Sequence, residues 1–342
     1  MKAVRFHEYG PADVLRYEDA PEPEPGLGEA LIRVRACAIN HVDVDMRNGT
    51  SRLPLTLPHT LGFEIAGDVV AVGEGVEEVA VGDRVSPLYQ IHCRRCEWCR
   101  RDEHMHCENI SMLGVQAPGG YGEYVVAPAW ALIPLRDTLS YEDAAAVQTT
   151  FSTVWHALVA RAGLKQGQWV LVNAAGSGVG AAGIQVARML GGRVIASAGS
   201  DFKLERAREQ GALEVVNYRT EDLASRVREL TGGRGVDVVM ESVGGDVMTG
   251  SINALAKDGK VVTVGGHAGE VVPLDIITLF RNQWSVIGSV RATADEIRHV
   301  VDLVAEGRLK VVIHDVFPLP EAATAHRIME DRKQYGKLVL VP

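Results

Sequence analysis

The feature that most restricts what this chain folds into is an alternation that begins near residue 168. Val170-Leu171-Val172, Val194-Ile195-Ala196, Val215-Val216 and residues 236–240 and 261–264 are short apolar runs rich in β-branched residues, the composition of strands buried on both faces. Between them lie stretches of helical length at 179–190, 203–210, 221–230 and 247–255. Strands and helices alternating in this way predict βαβ units on a doubly wound parallel sheet, an α/β fold. The first connection is Ala174-Ala175-Gly176-Ser177-Gly178-Val179-Gly180. Small residues between a strand and a helix let the backbone approach a pyrophosphate, and the helix N-terminus favours its negative charge. A dinucleotide is the ligand this turn predicts.

The end of the next strand selects between dinucleotides. An acid there bonds the free ribose 2′-hydroxyl of NAD, and the sequence offers Ala198 instead, followed by Gly199, Ser200, Asp201, Phe202 and Lys203. Ser200 by its hydroxyl and Lys203 by its charge suit the 2′-phosphate of NADP, and Tyr218 at the end of the following strand closes such a pocket. Asp201 opposes this, because its charge repels a phosphate if it points inward. NADP(H) is the expected cofactor.

Before residue 150 the pattern is different. Short β-rich runs, 31–36 and 69–72 among them, are punctuated by Gly and Pro, which predicts a β-leaning domain. After residue 290 a helix over 294–305 and a strand over 337–341 are expected. A length of 342 residues accommodates two domains. The net charge of −9 is dispersed along the chain, without the concentrated Lys and Arg a nucleic-acid surface requires. No run of about 18 apolar residues is present to span a membrane. The polar start, Met1-Lys2-Ala3-Val4-Arg5, is unlike a signal peptide, so a cytoplasmic location is expected.

Four of the five cysteines, Cys93, Cys96, Cys99 and Cys107, fall within fifteen residues. Four thiolates at this spacing close a tetrahedral shell around one Zn2+ and leave no open position, which makes the metal structural. His92, His104 and His106 are alternative ligands that the site does not require. An iron–sulfur cluster uses other spacings. Cys37 reads as a small buried residue.

With these motifs in view, the whole chain resembles the medium-chain dehydrogenase/reductase superfamily, which includes zinc alcohol dehydrogenases and quinone oxidoreductases. The resemblance is carried by Met1-Lys2-Ala3-Val4, residues 36–43, Leu61-Gly62-Phe63-Glu64, Val81-Gly82-Asp83-Arg84-Val85, the cysteine lobe, Gly119-Gly120-Tyr121-Gly122-Glu123-Tyr124 and the glycine-rich turn. It implies a GroES-like catalytic domain, 1–150 completed by 291–342, with the zinc lobe at about 93–107. It implies a Rossmann domain over 151–290, with cofactor contacts at Thr153, Ala175, Gly176, Ser177, Gly178, Val179 and Gly180, then at Gly244, Val264, Gly265 and Gly266. Residues 285–288 match the edge strand through which family members join two Rossmann sheets, so a homodimer or homotetramer is implied.

The alcohol dehydrogenases of this family hold a catalytic zinc on residues whose places here are Asn40, Phe63 and Thr149, none of them a normal zinc ligand. Their proton relay falls on Val42 and Asp45. Asn at position 40, followed by Asp43, matches instead the zinc-free quinone oxidoreductase and enoyl reductase branch, in which the Asn implies a contact to the nicotinamide end or to substrate. The tyrosine that thioester enoyl reductases carry about eleven residues later is Ser51 here, which counts against an acyl-thioester. The expected reaction is NADPH-dependent hydride transfer to a quinone or an α,β-unsaturated carbonyl, with Asn40, Tyr89 and His41 as candidate catalytic residues and His59 a further donor candidate. Tyr89 has packing as its plainer role. A zinc-type alcohol dehydrogenase and a non-catalytic NADPH-binding sensor are the alternatives.

Overall fold

The computed structural model describes Met1–Pro342. The chain divides into two compact units, Met1–Thr149 with Thr293–Pro342, and Thr150–Ala292. No helix is long and apolar enough to cross a membrane.

The first unit starts with a small antiparallel pair, β1 (Lys2–Arg5) and β2 (Arg16–Asp19). Its main sheet contains β3 (Glu29–Ile39), β4 (Glu64–Val72), β5 (Arg84–Pro87), β6 (Tyr124–Pro128) and β7 (Leu132–Pro134). The second unit contributes β8 (Trp169–Val172), β9 (Arg193–Ala198), β10 (Glu214–Asn217), β11 (Val236–Glu241), β12 (Leu255–Thr263) and β13 (Ser285–Gly288). The tail returns to the first unit's sheet with β14 (Ile313–Pro318) and β15 (Lys337–Val341).

In the first unit the sheet order is β14-β15-β3-β4-β5-β7, with β6 also on β3. The eleven residues of β3 are long enough to serve three neighbours. Its first half pairs with β6, its last three residues pair with β15, and β4 runs along its other side. Alternate residues of these strands (Ile32, Val34, Ile65, Val69, Val125) join Phe6, Met46, Leu61, Tyr121, Leu338 and Leu340 in one apolar core.

The second unit is a six-stranded, wholly parallel sheet in the order β10-β9-β8-β11-β12-β13. The order reverses between β8 and β11, and the carboxyl ends of strands at such a reversal are where nucleotides bind. The expected strands are present, with β12 starting earlier, at Leu255. Helix starts move to the residues that cap them. Asp222 accepts a bond from Ser225 N at 2.8 Å, so the helix is Leu223–Leu230 and does not begin at 221. Thr293 and Glu296 form a reciprocal cap on Ala294–Ala305, where the sequence places it.

Candidate active site

The glycine-rich turn sits between β8 and the helix Gly178–Met189. Ser177 caps that helix by accepting Gly180 N at 2.9 Å, and Ala175 N bonds Ser197 O on β9. A Cβ on Gly180 would overlap Ala174 O, which fixes the tightness of the turn. One turn on, a Cβ on Gly183 would lie 2.9 Å from Val172 and 3.0 Å from Met240, so the helix rides close on the sheet. Gly244, at φ 80°, follows β11, and its backbone lies against Gly266: a Cβ there would be 2.9 Å from Gly266 Cα. Val264 N bonds Glu241 O at 2.9 Å. The structure thus gathers Ala175 through Gly180, Gly244 and Val264 through Gly266 along the carboxyl edge of one sheet. Thr153 is half-buried on the helix Tyr141–Trp155.

A residue the sequence reading missed ties this edge together. Glu241 is fully buried at the end of β11. Its carboxylate accepts Gly244 N at 2.9 Å, Val243 N, and the Asn173 side-chain amide. Asn173 in turn accepts from Ser197 Oγ at 2.5 Å and donates to Ser251 Oγ at 2.7 Å. A buried carboxylate needs its lone pairs filled, and here the donors come from the loops after β8 and β11 and from Ser251 Oγ on the following helix at 3.3 Å. Nothing in local periodicity marks Glu241, because it ends an apolar strand like any boundary residue.

At the next strand end, Ser200 precedes the helix Asp201–Glu209 and makes no capping bond with its side chain. The stem of Lys203 lies over Gly176, where a Cβ would overlap it. Asp201, the residue expected to oppose a phosphate, is bonded across to the next strand end: Asn217 Nδ2 donates to its Oδ1 at 2.9 Å.

In the first unit, Asn40, Glu64 and Lys337 converge. The register makes this geometry. Leu338 lies opposite Ile39, which sets Lys337 beside Asn40, and Glu64 lies opposite Ala38, one side-chain repeat away on the same face. Lys337 Nζ donates to Asn40 Oδ1 and to Glu64 Oε2, both at 2.7 Å. Asn40 Nδ2 donates to Glu64 Oε2 at 2.8 Å, and Thr149 N donates to Oε1 at 2.6 Å. Lys337 and Glu64 are buried. Asp43 sits beside them, fully buried, accepting Asn40 N at 2.8 Å and Gly62 N at 3.3 Å. Burial raises its carboxyl to about 7, opposed by the Asn40 N–H and the Lys337 charge.

The other sequence candidates lie around this cluster or apart from it. Phe63 is buried, and its ring centre is 6.2 Å from that of Tyr89, itself buried with its N–H on Gln148 Oε1 at 3.3 Å. Thr149 keeps a buried hydroxyl without a partner. His41 opens the helix His41–Asn48 with Nε2 3.9 Å from Asp45. His59 is bonded through Nε2 to Gly114 O at 2.9 Å, and burial lowers its pKa. Cys37 is buried, and burial raises its thiol well above its usual value.

The donor set at the cluster does not fit a catalytic metal. Asn40, Phe63 and Thr149 offer an amide already bonded at both ends, a hydrocarbon ring and a neutral hydroxyl. Glu64 is already paired with an ammonium, and both oxygens of Asp43 are taken by backbone N–H groups. The cysteine lobe does fit one. The sulfurs of Cys93, Cys96, Cys99 and Cys107 all lie within 4.8 Å of one another, and Cys93 and Cys99 are 3.9 Å apart. A tetrahedral Zn–S4 site with bonds of about 2.3 Å places its sulfurs ~3.8 Å apart. The backbone N–H groups of Arg95 and Cys96 lower the Cys93 thiol to about 6, the ionised form a metal takes. The nearby histidines are used otherwise: His92 stacks on His104 at 3.8 Å, and His106 lies 5.0 Å from the Trp98 ring.

Comparison with known proteins agrees with this architecture. The alcohol dehydrogenase GroES-like domain family matches residues 26–137, and the zinc-binding dehydrogenase family matches 178–306. An NAD-dependent alcohol dehydrogenase of Sulfolobus acidocaldarius is 32% identical, with 99% of each chain covered. A quinone oxidoreductase of Pseudomonas aeruginosa is also 32% identical, covering 100% of this chain and 99% of its own. Among solved structures, one described as an NAD-dependent alcohol dehydrogenase superposes with a TM-score of 0.96 at 43% identity, covering all of both chains. The parallel sheet with its glycine-rich turn, the β-rich first unit and these full-length relatives place the chain in the medium-chain dehydrogenase/reductase superfamily, as an NAD(P)-dependent oxidoreductase.

Proposed function

We propose that this protein is a reductase that uses NADPH to deliver hydride to a quinone or an α,β-unsaturated carbonyl, with no metal at the reacting centre. The observation that carries this reading is the Lys337–Glu64–Asn40 cluster. An alcohol dehydrogenase needs a Lewis acid to lower the pKa of its alcohol, and the residues here supply a fixed ammonium in place of metal ligands. Quinones and enones are electrophilic already, so orientation and a proton source suffice. When bound, the cofactor supplies the hydride from C4 of its nicotinamide. The glycine-rich turn and the Gly244 and Gly266 backbones hold the dinucleotide in place. Lys337 holds the Glu64 carboxylate and the Asn40 amide in place through its two hydrogen bonds. A second electrostatic feature supports NADPH over NADH: Asp201 is bonded by Asn217, and no other acid lies between the end of β9 and Lys203.

One structural zinc on Cys93, Cys96, Cys99 and Cys107 belongs to this proposal. So does association with a second copy through β13. That strand is at the sheet edge and carries exposed Val286, with exposed Val290 just beyond it, and an unpaired apolar edge invites pairing.

The test is a panel of quinones, enones, enals and alcohols, assayed before and after a mild chelator, with metal analysis of the purified chain. The proposal expects one zinc per chain and chelator-insensitive NADPH oxidation by quinones or enones. Alcohol oxidation that tracks a second bound zinc would overturn it.

A further inference from the structure

One cation beside the strand ends, Arg219, makes no side-chain ion pair. In the second unit β9 and β10 run parallel with Asn217 opposite Ala198, and Tyr218 N bonds Ala198 O at 3.3 Å. The two strand ends therefore open side by side, Gly199 and Ser200 on one, Tyr218 and Arg219 on the other. A Cβ on Gly199 would lie 2.9 Å from Arg219 Nε and 3.1 Å from the Tyr218 ring, so the guanidinium and the phenol ring cover that glycine. Lys203 covers Gly176 in the same manner. Three arginines of this unit's surface are held in ion pairs: Arg226 with Glu221 and Glu229, Arg206 with Glu209, Arg234 with Asp237. Arg219 is exposed, and only its backbone N–H is bonded, to Asn217 Oδ1 at 3.2 Å.

The inventory of polar groups at this spot decides what fits. A ribose 2′-hydroxyl seeks an acceptor to donate to, and the carboxylate that follows β9, Asp201, is bonded by Asn217 Nδ2 at 2.9 Å, while Glu221 is taken by Asn217 N–H and Arg226. Around this spot stand two cations, the Lys203 ammonium and the Arg219 guanidinium, and two hydroxyls that can donate, those of Ser200 and Tyr218. Such a set suits a phosphate dianion, which a planar guanidinium grips through two parallel N–H bonds and an ammonium as a point charge.

We propose that Arg219 is a specificity-determining residue, the second cation of a clamp that with Lys203 takes the 2′-phosphomonoester of NADPH, and that Asn217 serves the clamp by holding Asp201 away. This rests on the NADPH reading above. It adds that discrimination comes from the turn after β10 as much as from the end of β9.

Binding of 2′,5′-ADP and of 5′-AMP to the purified protein by titration calorimetry tests it without turnover. Wild type is expected to bind 2′,5′-ADP more than tenfold tighter than 5′-AMP. Arg219→Ala should weaken 2′,5′-ADP about tenfold, ~1.4 kcal/mol, and leave 5′-AMP unchanged, which also reports that the variant is folded. Arg219→Lys should fall between. If wild type binds both probes equally, the NADPH reading fails and the clamp fails with it. If wild type prefers 2′,5′-ADP and Arg219→Ala keeps that preference, the clamp alone is overturned.

Discussion

Replacing Lys337 by Met isolates the energetics of the Asn40–Glu64–Lys337 cluster. Methionine keeps the unbranched stem and removes the ammonium. Glu64 is then left fully buried with bonds from Thr149 N and Asn40 Nδ2 but no counter-charge, and Asn40 Oδ1 loses its donor. Removing one partner of a buried ion pair costs about 3–5 kcal/mol, because the remaining charge is desolvated without compensation. Spread over the first unit, that loss lowers its melting temperature by roughly 10 °C. Scanning calorimetry of wild type, Lys337→Met, Glu64→Gln and the double variant measures the coupling. In the double variant the neutral amide still accepts Thr149 N and no charge is buried, so it should recover most of the loss, a coupling of about 2 kcal/mol or more. A Lys337→Met cost below about 1 kcal/mol, the range of an exposed ion pair, or strict additivity in the cycle, would refute the reasoning.

Two further outcomes follow from the same physics. Asp43, raised to about 7, holds a proton in the folded state that the unfolded chain releases near pH 4, so its contribution to stability falls as pH rises through that window. His326, fully buried and lowered to about 3, acts oppositely, losing stability as pH falls from about 6.5. Melting temperatures between pH 4 and 7 should therefore drop more steeply on acidification for Asp43→Asn than for wild type, by up to ~1.4 kcal/mol per pH unit; parallel profiles would contradict the assignment. At the sheet edge, Val286→Lys should shift a dimeric wild type toward monomer in light scattering at micromolar concentration, whereas an unchanged mass would place the interface elsewhere.

What proved legible from local pattern was whatever local pattern controls. The alternation from residue 168 on marked the strands of the parallel sheet, with helix ends displaced only where a cap such as Asp222 intervened. The cysteine spacing and the glycine-rich turn lie within single loops, so their chemistry is written in neighbouring residues. The sequence also showed that Asn40, Phe63 and Thr149 are poor metal ligands, since that is a matter of side-chain type.

Tertiary structure alone decided what replaces those ligands. Lys337 meets Asn40 across 297 positions and Glu64 across 273, because β15 and β4 flank β3 in a particular register that no periodicity encodes. Glu241 acquired its role from donors on separate loops and a helix, and Asp201 found its partner, Asn217, sixteen positions away. A charged side chain shows its type in the sequence, but its partners are set by strand pairing over long separations, and the partners decide whether it binds, braces or repels.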